Sequence, residues 1–435
     1  MRAGLSETIF ALASGQGRAA VAVIRLSGAA TSDMLVALCG ALPPPRRASV
    51  RTLRDCGGTV LDSALVLWFP GPGSYTGEDS AELQVHGGPA VIEGVVQTLG
   101  RLGARPAEAG AFTRRAVLNG RLDLLEAEAV ADLIDAETSA QREQALLQMQ
   151  GALGAIYADW AARLLRLLAQ QEALIDFPDE DLPDSVALAM IEEMGRVRAE
   201  ILAHLDDDGR GERLRTGLVF AIAGPPNVGK STLINALCQR EVAIVSPMAG
   251  TTRDVLEARL DLAGIPVTLL DTAGLRETAD PVEAEGVRRA RARAEQADLV
   301  ILLSAGETAS DDGLWLAEHR LLHVRTKRDL LDGSCAGGLA VSALTGAGMS
   351  ALIRRLEQEA VELAGPRGTP ALSRARHRSA LQETISCLDA ALTAVLPELC
   401  GEELRLAVQA LGRITGQVGV EEVLDSVFRQ FCIGK

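Results

Sequence analysis

"GLVFAIAGPPNVGKSTLINALC", residues 217–238, joins an apolar run to a run with helical spacing through a short connector rich in Gly and Pro. GLVFAIAG reads as a buried strand and STLINALC as the helix that follows it. Between them GPPNVGKS, Gly224 to Ser231, has the spacing of a phosphate-binding loop. The strand before it and the helix after it separate such a loop from a chance match. Its glycines let successive backbone N–H groups face phosphates, Lys230 supplies charge toward the β and γ groups, and Ser231 offers a hydroxyl to Mg²⁺. The candidate nucleotide contacts here are Asn227, Val228, Gly229, Lys230, Ser231 and Thr232.

Downstream, the apolar runs IPVTLLD, ADLVILLS, LLHVRT and GLAVSA recur with helical or loop material between them, which predicts a mostly parallel sheet covered on both faces. AGTTRD supplies Thr251 and Thr252, suited to closing over a γ-phosphate and completing the Mg²⁺ coordination begun by Ser231. Asp271 ends its strand where a carboxylate can hold Mg²⁺ through water. In the run Asp271-Thr272-Ala273-Gly274, the glycine can free a backbone N–H for the γ-phosphate. In TKRD, Asp329 can accept two hydrogen bonds from the N1–H and amine edge of guanine, an edge that adenine lacks. Lys327 would pack over the base, and Ser342-Ala343-Leu344 would give a backbone donor to its oxygen. Many GTPases follow the DTAG loop with a glutamine that orients water; this chain has Leu275, whose side chain forms no hydrogen bond.

The 435 residues are 48% hydrophobic and 23% charged, a globular composition with material for two or three cores. Seven cysteines are scattered singly, with no CxxC pair, which argues against a disulfide framework or a zinc knuckle and for reduced thiols. Apolar stretches fall short of the roughly 20 residues that span a bilayer, and the N-terminus lacks a signal-peptide pattern. The expectation is a soluble, cytoplasmic chain with no stable membrane association. A net charge of −15 predicts no general affinity for polyphosphate, so an RNA partner must be met by a local basic segment or through another protein.

Residues 1–118 mix short β-like runs with turns and one amphipathic helix, which suggests an α+β domain; His86 in QVHGG reads there as a loop histidine. From Leu122 helical spacing takes over, broken at DFPDEDLPD, and after GPRGTP it returns in Leu404, Val408, Leu411 and Ile414 and in Leu424, Phe428 and Phe431. The economical organisation is an α/β domain, residues 216–365, inserted into a helical domain made of residues 119–215 plus 366–435.

The order GPPNVGKS, GTTRD, DTAG, TKRD, SAL resembles the Era-like bacterial GTPases. SYTGEDSAELQVHGGPAV, RLDLLEAEAVADLIDAE, IDFPDED and the terminal FCIGK narrow this to a resemblance to the TrmE family among them, running from about Thr8 to Lys435. The resemblance implies a multidomain α/β protein: an N-terminal folate-binding-like α+β domain used in dimerisation, an all-α domain, and an inserted Ras-like P-loop G domain. It implies GTP/GDP, Mg²⁺ and K⁺ as ligands, with K⁺ held by Asn227, Ser246, Met248 and Thr251 in the role of an arginine finger. Glu283 would order the attacking water through an intermediary, alongside Asn227 and Lys230 as catalytic groups.

A 5-formyltetrahydrofolate-type cofactor would sit at a homodimer interface against Arg25, Glu82, Arg121 and Lys435. The carboxylate suits the pterin N–H edge, and the cations suit the folate carboxylates. The family usually has lysine where Arg121 stands and asparagine where Thr326 stands. The implied activity is a potassium-dependent GTPase. With the FAD-dependent protein MnmG, in a heterotetramer, it would add an aminomethyl or carboxymethylaminomethyl group to C5 of the wobble uridine of certain tRNAs. The alternative is an Era-like ribosome-assembly switch. That reading needs an RNA-binding module, and the lone GPRG at Gly365 sits in a linker without the flanking helices a KH domain requires. Cys432 reads as a small buried hydrophobe near the chain end.

Overall fold

The computed structural model describes residues 7–15, 17–176, 184–207, 209–225, 227–240, 242–244, 257–271, 296–305, 320–330, 339–366, 368, 370–416, and 424, 427, 428, 431 and 434. The chain forms two compact units. One comprises Met1–Ala131, Gly154–Leu168 and Leu404–Lys435; the other comprises Asp132–Leu153 and Ala169–Glu403.

The first unit is built on β1 (Ile9–Leu12), β2 (Ala19–Ser27), β3 (Ser49–Arg54), β4 (Val60–Phe69), β5 (Ser80–Gly87) and β6 (Arg105–Pro106), with α1 (Thr31–Cys39), α2 (Pro89–Arg101) and α3 (Ala111–Leu118). The sheet runs β3-β4-β5-β2-β1-β6, antiparallel except for the parallel β1–β6 pair. Side chains alternate between its faces, so Ala22, Ile24 and Leu26 of β2 and Ala81, Leu83 and Val85 of β5 enter one core with Leu35 and Leu38 of α1 and Val95 and Leu99 of α2. The same period of two sends Arg25 and Glu82 to the opposite face. There Ile9 and Ala11 of β1 pack with Phe112 of α3 in a second, smaller cluster. His86 lies in β5, not in a loop. Its backbone pairs in the ladder, its ring Nδ1 is 2.8 Å from Asp62 on β4, and the strand runs on through it to Gly87.

Helices follow: α4 (Leu124–Asp135), α5 (Ser139–Met149), α6 (Ala152–Asp176), α7 (Asp184–Leu205) and α8 (Arg210–Thr216). Thr138 and Gln141 form a capping box that starts α5. Leu424, Phe428 and Phe431, spaced as a helical stripe in the sequence, bury against Leu124 and Ala127 of α4.

The second unit's sheet contains β7 (Leu218–Ala223), β8 (Glu257–Leu262), β9 (Ile265–Asp271), β10 (Leu299–Ser304), β11 (Leu321–Arg325) and β12 (Leu339–Ala340), in the order β12-β11-β10-β7-β9-β8. Every pair is parallel except β8–β9. All seven residues of β9 are buried, as a strand covered on both faces must be. Against this sheet pack α9 (Lys230–Cys238) and α10 (Met349–Ala364), the latter through Met349, Leu352, Leu356 and Ala360, a single apolar stripe. Two further helices are α11 (Ala375–Thr393) and α12 (Pro397–Thr415). α10 ends directly at Gly365, so the GPRG segment does have a helix before it, contrary to the reading from sequence. α11 begins only at Ala375, and the Arg210 side chain fills the space where a Cβ on Gly365 would go.

The β8–β9 turn, with Ala263 and Gly264 both at positive φ, is fastened to α5: Ala140 N–H donates to the Gly264 carbonyl at 3.1 Å, and Arg259 of β8 pairs with Glu137 at 2.8 Å.

Candidate functional site

The parallel strands of the second unit end together, and the crevice outside their carboxyl ends is where open α/β sheets bind ligands. From β7 the chain enters the phosphate loop at Gly224, with φ +145°. A Cβ there would lie 2.5 Å from the Leu303 carbonyl oxygen of β10, so only glycine lets the loop leave the sheet at this point. Asn227 sits in the left-handed region at φ +61°, a conformation asparagine tolerates better than most residues. Val228 turns inward and is buried in the sheet core, which anchors the loop from its middle. α9 then starts at Lys230, so Gly229, Lys230, Ser231 and Thr232 present the helix N-terminus, where anions are favoured.

Lys230 is 8% exposed, and its ammonium donates to the carbonyls of Gly224 at 2.6 Å and Pro225 at 3.1 Å. These are neutral acceptors, and an anionic phosphate oxygen outcompetes them for the same protons. The Ser231 hydroxyl donates to Asp271 Oδ2 at 2.8 Å, which joins the first turn of α9 to the end of β9. A hydroxyl and a carboxylate oxygen meeting beside a lysine is a hard-oxygen set that fits Mg²⁺.

Thr326 follows β11 and is 5% exposed. Its hydroxyl donates to the Val228 carbonyl at 2.6 Å and lies 3.3 Å from the Ser304 carbonyl, while its N–H donates to Ser304 O at 2.8 Å. The residue that departs from the usual asparagine therefore ties the TKRD loop to the phosphate loop. No local sequence pattern reveals this bond, because it joins residues 98 positions apart. Lys327 takes φ +55° and Asp329 sits exposed in a single helical turn, Arg328–Leu330. Ser342 is 1% exposed, Ala343 half-buried and Leu344 exposed, and the Arg328 N–H donates to Val341 O at 3.1 Å, drawing the two base-side segments together. Ser246, Met248, Thr251, Thr252, Thr272, Ala273, Gly274 and Glu283 lie outside the described residues, as do Lys435 and Cys432.

In the first unit, Arg25 and Glu82 are direct cross-strand partners on β2 and β5. Arg25 Nε and Nη2 donate to the same Glu82 oxygen, Oε1, at 3.2 and 2.9 Å. The Arg25 guanidinium carbon lies 5.7 Å from the Tyr75 ring centroid and 5.8 Å from that of Phe112. Sequence reasoning missed both aromatics. Tyr75 is fixed by a 2.9 Å hydrogen bond between its hydroxyl and Thr113, and burial pushes its phenol up from the ordinary value.

The loop carrying Tyr75 is braced from below. Arg115, 4% exposed, donates to Glu78 at 2.8 Å and to the carbonyls of Ser27 at 3.3 Å and Glu7 at 2.7 Å, and the Ser27 hydroxyl donates to Glu78 at 2.8 Å. Gly77 of this loop has φ +80°, and a Cβ there would lie 3.2 Å from Arg121 Cγ, so the Arg121 stem lies against it. Arg121 is itself exposed and has no ion-pair partner among the described residues. A carboxylate with one oxygen engaged, two aromatic rings and an exposed arginine fit a heterocycle bearing N–H donors and an anionic tail.

Two family models match the chain: GTP-binding protein TrmE N-terminus over residues 8–121 and MnmE helical domain over residues 124–432. The chain is 59% identical over 432 residues to the tRNA modification GTPase MnmE of Gluconacetobacter diazotrophicus, covering 98% of each chain. It is 56% identical over 437 residues to the protein of the same name from Granulibacter bethesdensis, covering 99% of each. Among solved structures, the FeoB G-domain from Methanococcus jannaschii is similar at 23% identity over 33% of this chain and 97% of that one, with a TM-score of 0.23.

Proposed function

The chain belongs to the TrmE (MnmE) family of tRNA modification GTPases, and on that footing we propose that its GTP hydrolysis is potassium-dependent and acts with the FAD-dependent protein MnmG. The modification is the addition of an aminomethyl or carboxymethylaminomethyl group at C5 of the wobble uridine of certain tRNAs. The observation that carries the reading is the junction of Ser231 with Asp271 at 2.8 Å beside the buried Lys230. These groups converge where the β- and γ-phosphates of a nucleotide would lie.

Each residue has a task in this scheme. Lys230 would exchange its carbonyl partners for phosphate oxygens, Ser231 and Thr252 would hold Mg²⁺ with Asp271 contributing through water, and Asp329 would select guanine. Bound Mg²⁺ neutralises charge on the phosphates. Leu275 cannot orient water, so that task falls to Glu283, and the charge of an arginine finger is replaced by K⁺ held by Asn227, Ser246, Met248 and Thr251. The left-handed backbone at Asn227 supports this reading, because it places that residue at the exposed turn of the loop.

The first unit would hold a 5-formyltetrahydrofolate-type cofactor, with Glu82 on the pterin edge, and would pair two copies into a homodimer. The acidic chain, at −15, would meet tRNA through MnmG or through the basic segments GVRRARARAE and SRARHRS. A cytoplasmic location follows from a tRNA substrate. No helix among the described residues is long and apolar enough to cross a membrane.

The test is the GTPase rate in K⁺ against Na⁺ for the wild-type chain and Asn227→Ala. The wild type is expected to be stimulated by K⁺. The variant should lose the stimulation yet bind fluorescent GDP within about threefold of wild type, under 1 kcal/mol. Equal wild-type rates in the two salts would overturn potassium dependence.

A further inference from the structure

The sequence pattern sets three cations, Arg25, Arg121 and Lys435, against a folate-type ligand's carboxylate tail and one carboxylate, Glu82, against its pterin edge; Lys435 lies outside the described residues. The structure divides them differently. Arg25 and Glu82 sit opposite each other in one ladder, both of them mostly buried, with side chains 21% and 24% exposed. The Arg25 guanidinium spends Nε and Nη2 on a single oxygen of Glu82 and lies within cation–π distance of two rings, one of them wholly buried. A planar guanidinium held this way has little freedom to follow a flexible tail. Glu82 Oε2, by contrast, has no hydrogen-bond partner among the described residues, and it is oriented by the grip on Oε1. Arg121 is exposed and without an ion-pair partner among those residues.

We propose that Arg25 is a positioning residue that aims the free oxygen of Glu82 at the N–H edge of the ligand's heterocycle, and that Arg121 meets the anionic tail. This deepens the folate reading above and rests on it. Tyr75 and Phe112 serve the same purpose one step further out, because they fix the plane of the guanidinium.

The experiment is calorimetric titration of the full chain with 5-formyltetrahydrofolate and with its diamide, in which both tail carboxylates are neutral. Arg25→Gln should weaken the acid and the diamide by the same factor, about tenfold to a hundredfold, as expected for loss of charged hydrogen bonds. Arg121→Gln should weaken the acid and leave the diamide unchanged. In a Glu82→Gln background, Arg25→Gln should add almost nothing, because the residue it orients is already gone. Arg25→Lys keeps the charge and the fold while giving up the two-pronged grip, and should fall between wild type and Arg25→Gln for both ligands.

Loss confined to the acid in the Arg25 variants, or additive losses in the double variant, would overturn the positioning role and leave the folate reading standing. Failure of the wild-type chain to bind either ligand would overturn the folate reading itself and this assignment with it.

Discussion

Thr326→Val removes one oxygen and keeps the β-branched shape. The lost hydroxyl donates to the Val228 carbonyl at 2.6 Å, in a site where Thr326 is 5% and Val228 2% exposed. A buried acceptor stripped of its donor costs about 1–3 kcal/mol. Val228 is the inward anchor of the phosphate loop, with Asn227 on one side of it and Gly229 on the other, so the penalty falls on the loop conformation that binds phosphate. If the binding-competent state loses that much, apparent affinity drops by up to the same free energy, about fivefold to 150-fold. The assay is dissociation of a fluorescent GDP followed by stopped flow, with Thr326→Ser as the control. Serine keeps the donor and should stay within about threefold of wild type, a difference of less than 1 kcal/mol. Thr326→Val with a GDP dissociation rate matching both wild type and Thr326→Ser would refute the idea that the base-side strand end sets the shape of the phosphate loop.

Arg115→Met leaves the mostly buried Glu78 without its cation and takes one donor from each of two carbonyls, so the first unit should lose about 3–5 kcal/mol, read as a lower urea midpoint by tryptophan fluorescence. His204, in the last turn of α7, has its pKa held below the ordinary value chiefly by burial, with Arg378 and His377 adding to the effect and Asp207 opposing it. The unfolded chain then binds more protons than the folded one just below the ordinary histidine value. This contribution to stability is therefore complete above about pH 6.5 and is lost as pH falls from there toward the depressed folded value. His204→Gln should shrink the drop in urea midpoint between pH 7 and pH 5, and an unchanged drop would remove His204 as its source.

What could be seen in the sequence is what local periodicity encodes. GLVFAIAG, IPVTLLD and ADLVILLS are strands of one sheet because continuous apolar runs have only the buried side of a parallel sheet to occupy, whereas LLHVRT joins the same sheet with Leu321 and His323 exposed and Leu322 and Val324 buried. The helical stripe Leu424, Phe428 and Phe431 is buried for the same kind of reason. What could not be seen depends on register and crossing. Arg25 faces Glu82 because β2 and β5 pair at that offset, and no spacing within either strand reveals it. Phe112 and Arg115 look like an ordinary helix start until α3 is laid under the loop holding Tyr75 and Glu78. His86 in QVHGG reads as a loop histidine, yet the ladder continues through it to Gly87. Thr326 stands where the family usually has asparagine, and its hydroxyl fills a bonding role across the sheet ends.

The β8–β9 ribbon carries Asp271 at one end and its tight turn at the other. Seven residues of β9 at about 3.3 Å each make a strut roughly 20 Å long, braced sideways by the sheet so that it cannot buckle. Its turn is pinned to α5 through Gly264 and Ala140, and Arg259, midway along β8, is held by Glu137 just ahead of α5. A pushrod so fixed leaves two outcomes for any sliding of Asp271 along its own axis: the start of α5 travels with it, or those two fastenings snap.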